Sequence, residues 1–178
     1  EYYSISEVNQ LIAAMAPSAI DPQSLEAVQT VLARMANLNV GDKFPSFELP
    51  TMDGKTVTSS SLKGSYVLVD LWASWCGPCI KAMPTIKKLS EKYANGDFQA
   101  ISISLDQREE TWKRTNEERV DISWINALDS NGLSGGLSVE LGVTFLPFYY
   151  LIDKEGHILA INIKLEDVEE TLDRLFSE

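Results

Sequence analysis

Tyr66-Val67-Leu68-Val69-Asp70-Leu71-Trp72-Ala73-Ser74-Trp75-Cys76-Gly77-Pro78-Cys79 is the stretch that decides how this chain folds. Tyr66 to Trp72 is the near-continuous apolar run that a strand buried on both faces requires. Beyond the cysteines, Ile80, Met83, Ile86, Leu89 and Tyr93 recur at helical spacing, with lysines on the opposite side. The two cysteines therefore sit at a strand-to-helix turn. Cys76 is placed as the helix cap, where unpaired backbone N–H groups and the positive end of the helix dipole favour a thiolate. Cys79 falls one turn inside the helix.

That spacing suits disulfide exchange. A thiolate attacks a substrate disulfide to form a mixed disulfide, and a second thiol one turn away reaches back to release the product. The spacing assigns Cys76 the attack and Cys79 the resolution. A zinc half-site and an inert structural disulfide are the competing readings of a Cys-x-x-Cys pair. Zinc would find only Cys76, Cys79 and the single histidine, His157, as ligands of the usual kind.

The run from Val69 to Cys79 resembles the active-site segment of the thioredoxin superfamily, and the wider frame is similar to the TlpA/ResA-like thiol-disulfide oxidoreductases. Val40-Gly41-Asp42-Lys43-Phe44-Pro45-Ser46-Phe47-Glu48-Leu49 resembles that family's opening segment, Asp53-Gly54-Lys55 its first hairpin, and Leu62-Lys63-Gly64 the lead into the central strand. Leu146-Pro147 before Phe148-Tyr149-Tyr150-Leu151-Ile152 matches its proline-then-strand element. The likeness spans about residues 39 to 178. It implies a thioredoxin-like α/β fold, a mixed central sheet with flanking helices, preceded by a short N-terminal helical segment over residues 1–38. It implies no cofactor beyond the Cys76/Cys79 pair. The implied partners are disulfide-containing protein substrates and an electron-donor protein, in an extracytoplasmic setting, periplasmic or membrane-tethered.

Composition agrees with these expectations. The 178 residues, 44% of them hydrophobic, suffice for one filled core and a small appendage. A net charge of −11 argues against nucleic acid, which needs a basic stripe. No apolar run reaches membrane-spanning length, so no transmembrane segment is expected in this chain. The start at Glu1 suggests a processed or trimmed piece of a longer protein.

Within residues 1–38, Val8, Leu11, Ile12 and Met15 share a helical face that Pro17 ends. Asp21-Pro22 then opens a second helix, a capping side chain followed by proline, with the stripe Leu25, Val28, Leu32 and Met35. Packing of both stripes within the chain is the expectation.

Asp70 interrupts the apolar strand six residues before Cys76, where a carboxyl is costly unless paired, hydrated or protonated. By resemblance to thioredoxin it shuttles a proton for Cys79; the plainer reading is a strand-end Asp bonded to a loop. Three departures stand out. Ala82 occupies a position where many TlpA/ResA-like relatives carry Glu, Asp70 one where they often carry Asn, and Ser102 stands where thioredoxin places a Lys beside its acid. Without that cation, desolvation should push Asp70 toward its protonated form.

Downstream, Pro84 falls inside the first helix and should kink it. Phe98 to Leu105 reads as a strand, and Asp106-Gln107 opens a charge-dense, solvated helix to about Arg119 whose largest apolar residue is Trp112. Residues 120–142 resemble the family's insertion, with Trp124 expected as a buried aromatic. Leu146-Pro147 heads an apolar strand, an odd place for a residue that cannot donate to a ladder. By resemblance this bond is cis, lies against the cysteines and leaves the Leu146 backbone free to pair with substrate. Trp75, Gly77, Pro78, Leu146 and Pro147 are thus the expected substrate contacts. Phe148–Ile152 and His157–Ile163 read as a hairpin, with His157 structural, and Glu166–Phe176 as a closing helix.

The function expected is a dithiol/disulfide oxidoreductase that reduces protein disulfides, because Gly77-Pro78 resembles the pair of reducing thioredoxins and adds no cation to stabilise the thiolate. Two rivals remain open. A thiol peroxidase meets Ala73 where peroxiredoxins carry Thr, and a copper-carrying module of the Sco type would use the two thiolates and one His.

Overall fold

A computed structural model describes residues 21, 23–26, 38–94 and 96–177. The N-terminal stripes at Val8–Met15 and at Val28, Leu32 and Met35 lie outside these residues. Asp21 does cap: its carboxylate accepts the Ser24 amide at 2.9 Å, and residues 23–26 are helical.

Among the described residues, seven strands follow. β1 (Glu48–Pro50) and β2 (Thr56–Thr58) pair as an antiparallel hairpin whose turn places Gly54 at φ +78°, a conformation that favours glycine. The main sheet has the order β5-β4-β3-β6-β7, with β3 (Tyr66–Trp72) in the centre. β4 (Phe98–Ser104) and β5 (Ile125–Leu128) run parallel to it, while β6 (Phe148–Ile152) pairs antiparallel with β3, and β7 (Ile158–Ile161) with β6. The sheet is therefore mixed. Each edge is bridged once from within the chain, Ala127 of β5 by Thr51 and His157, just ahead of β7, by Lys43.

The helices are α1 (Gly77–Lys92), α2 (Glu109–Glu118), the short α3 (Gly136–Glu140) and α4 (Leu165–Leu175). Alternation along β3 sorts its side chains into two cores. Leu68 and Trp72 pack with Cys79, Met83, Ile86 and Leu89 of α1 and with Val168 and Leu172 of α4. Val67, Val69 and Leu71 pack on the opposite face with Phe44, Phe47, Ile103, Leu137 and Tyr150. Both faces are thus covered, which explains why β3 is apolar without alternation. α1 runs through Pro84 to Lys92.

The sequence reading is corrected at two element boundaries and at Trp112. The second helix begins at Glu109 rather than Asp106, because Asp106 is drawn into the sheet end by Ser74 and Ser104. β7 is shorter than His157–Ile163, starting at Ile158. Trp112 does not belong to the solvated surface of α2: it is buried, and its indole N–H donates to Asn126 Oδ1 at 3.0 Å.

Candidate active site

β3 ends at Trp72, and four residues later Cys76 caps α1 in an extended conformation, φ −86° and ψ 93°. Its Sγ accepts the Cys79 amide at 3.2 Å, the contact expected of a sulfur aimed at unpaired helical N–H groups. Pro78 lies in the first helical turn, where a missing N–H costs nothing. The two cysteines form a disulfide with their Cα atoms 5.3 Å apart. Their exposure is unequal. Cys76 keeps 5% and Cys79 none, and the ring of Trp75 beside them is 62% exposed. Gly77 and Pro78 are exposed as well.

The loop that presents Cys76 is held by a residue that the sequence reading passed over. The buried carboxylate of Asp106 accepts the Ser74 amide at 2.9 Å, the Ser74 hydroxyl at 2.6 Å and the Ser104 hydroxyl at 2.8 Å. Arg119 adds a guanidinium N–H to the Ser74 carbonyl at 3.3 Å. The signal in the sequence was an acid just past a strand parallel to β3, at the sheet end where the cysteines sit. Asp106→Ala strands these donors in a buried site, so it should lower stability by about 2–4 kcal/mol in urea unfolding and slow thiol exchange by loosening the Ala73–Trp75 turn.

Asp70 sits in the middle of the central strand, 1% exposed, so the strand-end reading does not hold. As the residue between Leu68 and Trp72, it faces the side that α1 covers. The register places Ser102 directly beside it on β4 and Tyr149 beside it on β6. The Ser102 hydroxyl donates to Asp70 Oδ2 at 2.7 Å, and Oδ1 has no partner among the described residues. Burial pushes the carboxyl up to about 7, against the opposing pull of the Ser102 hydrogen bond. Burial, and secondarily the Asp70 charge, also raise the Tyr149 phenol. Trp124 is half-buried rather than buried, and its indole N–H donates to Ser102 Oγ at 2.9 Å.

The Leu146–Pro147 bond is cis. The β3–β6 register, with Leu71 opposite Phe148, carries Pro147 toward Trp72, the strand end that leads to the cysteines. Leu146 packs against the core cluster that holds Cys76 and Cys79, and no hydrogen bond reaches its backbone from the described residues. Phe145 beside it is 44% exposed. His157 lies at the other end of the sheet, where Asp153 donates its amide to the His157 carbonyl and the imidazole stands 3.5 Å from the Asp153 carboxylate. Three or more His, Cys, Asp or Glu side chains nowhere converge as a metal site among the described residues, and no described helix is long and apolar enough to cross a membrane.

Residues 39–175 match the Redoxin family. The chain is 28% identical over 145 residues to the thiol-disulfide oxidoreductase ResA of Bacillus cereus, covering 82% of this chain and 81% of ResA. It is 27% identical over 149 residues to the thioredoxin-like protein YneN of Bacillus subtilis, covering 82% and 85% of the two chains. Among solved structures it is similar to a thiol-disulfide oxidoreductase from Bacteroides fragilis, with a TM-score of 0.69 and 31% identity over 75% of this chain and 99% of that one. The chain belongs to the Redoxin family, as a ResA-like member of the thioredoxin superfamily.

Proposed function

We propose that this protein is a thiol-disulfide oxidoreductase that reduces disulfides of protein substrates, with Cys76 as nucleophile and Cys79 as resolving thiol. The observation that carries this reading is the asymmetry of the pair: Cys76 caps α1 with residual exposure, and Cys79 is sealed beneath it. In the reduced protein the Cys76 thiolate attacks one sulfur of the substrate disulfide. That bond breaks, a Cys76–substrate disulfide forms, and the departing thiolate takes a proton from water. Asp70 then accepts the Cys79 proton, the Cys79 thiolate attacks Cys76 Sγ, and the second substrate thiolate leaves. The substrate gains two electrons and the Cys76–Cys79 disulfide is left behind. A reduced dithiol protein must act as electron donor to restore it.

Trp75, Gly77 and Pro78 form the exposed collar around Cys76, and the unpaired Leu146 backbone ahead of Pro147 offers a strand-like edge to an extended substrate. An extracytoplasmic setting follows from the family resemblance. Reduction is favoured over oxidation because Gly77-Pro78 brings no cation to the thiolate, which leaves the disulfide harder to reduce. The test runs insulin-disulfide reduction with a dithiol donor beside an anaerobic copper(I) titration of the same reduced sample. Turnover supports the proposal; tight copper binding without turnover replaces it by a copper carrier.

A further inference from the structure

We infer that Ser102 and Trp124 are positioning residues that fix which oxygen of Asp70 carries the exchanged proton and how readily it is released. This inference rests on the proposed role of Asp70 as proton acceptor for Cys79. Three side chains from three strands or their leads form one chain of hydrogen bonds, Trp124 to Ser102 to Asp70. An indole N–H can only donate, so Ser102 Oγ must accept at that contact. The hydroxyl has a single hydrogen, and with one lone pair engaged by Trp124 that hydrogen is directed to Asp70 Oδ2, 2.7 Å away. Oδ2 is thereby held as an acceptor. The carbonyl oxygen of a neutral acid is the better acceptor, so the proton is assigned to Oδ1, the oxygen without a partner among the described residues, on the strand face whose core cluster includes Cys76 and Cys79.

The same geometry sets the sign of the effect. A hydroxyl that donates to a carboxylate stabilises its charged form, so Ser102 opposes the burial that keeps Asp70 protonated. The register sets Ser102 of β4 and Tyr149 of β6 beside Asp70, on the strand face whose core cluster includes Cys76 and Cys79. None is a cation, so the Ser102 hydrogen bond is what draws the carboxyl back toward ionisation near neutral pH. Trp124 acts one bond further out by denying Ser102 any other orientation.

The test titrates the Asp70 side-chain carboxyl by carbon-13 NMR in the intact oxidised protein, in the parent, Ser102→Ala, Ser102→Thr and Trp124→Phe, and records insulin turnover against pH for the same set. Loss of one hydrogen bond to a charged group corresponds to a shift of about one pH unit. Ser102→Ala should move the carboxyl midpoint toward alkaline pH by that amount, Trp124→Phe should move it the same way by less, and Ser102→Thr should restore it. The acid limb of turnover should follow the carboxyl in each variant. Titration curves of Ser102→Ala and Trp124→Phe that coincide with the parent overturn the inference, whether or not Ser102→Ala is destabilised. A parent that titrates as expected but does not turn over insulin overturns the proposed function instead, since the titration needs no substrate.

Discussion

Cys76→Ser should abolish insulin-disulfide reduction, lowering the rate by about a thousandfold or more, because the hydroxyl that replaces the thiol is not ionised near neutral pH and forms no disulfide. Cys79→Ser should behave differently. The Cys76 thiolate remains at the head of α1, so the first exchange proceeds, but nothing reaches back to cleave the product. A mixed disulfide between Cys76 and the substrate accumulates, visible as an intact-mass adduct that dithiothreitol removes. The proposed order rests on access, since a protein disulfide can approach Cys76 beside the exposed Trp75 whereas Cys79 has no exposed surface. It rests also on electrostatics, since the Cys79 amide and the helix N-terminus point at Cys76 Sγ. Adducts trapped by Cys76→Ser and absent from Cys79→Ser would reverse the two roles.

The parts of this site that were legible in the sequence are those encoded by local spacing. The apolar run, the cap position and the helical stripe together locate Cys76 and Cys79, and all three depend on contacts within a few residues. Asp70 was legible for a different reason: a lone carboxyl in an apolar strand is conspicuous whatever the fold. The resemblance to thioredoxin implies Ser102 as the neighbour of Asp70 on the next strand, and the β3–β4 register pairs the two. The Asp106 clamp was not legible, because Ser74 and Asp106 lie 32 residues apart and neither breaks a local pattern. Trp112 and Trp124 illustrate the same limit. Periodicity reports which face of an element is apolar, but whether an indole N–H finds Asn126 or Ser102 depends on how strands β4 and β5 are placed in three dimensions. Asp106 also shows why helix starts were misplaced: an acid before a charged run reads as a cap until a sheet end claims its oxygens.

Asp70→Asn should separate what this acid does for exchange from what it costs the fold. A carboxyl whose folded value is raised binds its proton more tightly in the native state than in the unfolded chain, so it favours folding fully below its unfolded value and loses that contribution as pH rises through the folded one. For Asp70 the window runs from the ordinary 3.8 to about 7. At 1.36 kcal/mol per pH unit this span is worth at most about 4 kcal/mol, all of it forfeited in alkaline solution, where a buried charge must be held with Ser102 as its one hydrogen-bond partner among the described residues. An amide cannot ionise, so Asp70→Asn should match the parent most closely near pH 4 and gain on it progressively to pH 8, as read from urea midpoints of the oxidised proteins. A stability difference that does not change between those pH values would mean that Asp70 is not buried as a titrating acid. The same variant should lose its base: the first exchange at Cys76 is spared, while decay of the mixed disulfide slows by about 10²-fold or more near neutral pH. A fold that bears an acid destabilising at the pH where the acid is ionised, on the strand face that supports the cysteines, is what a proton acceptor for Cys79 requires, since only a carboxyl kept out of water is basic enough to take a thiol proton near neutrality.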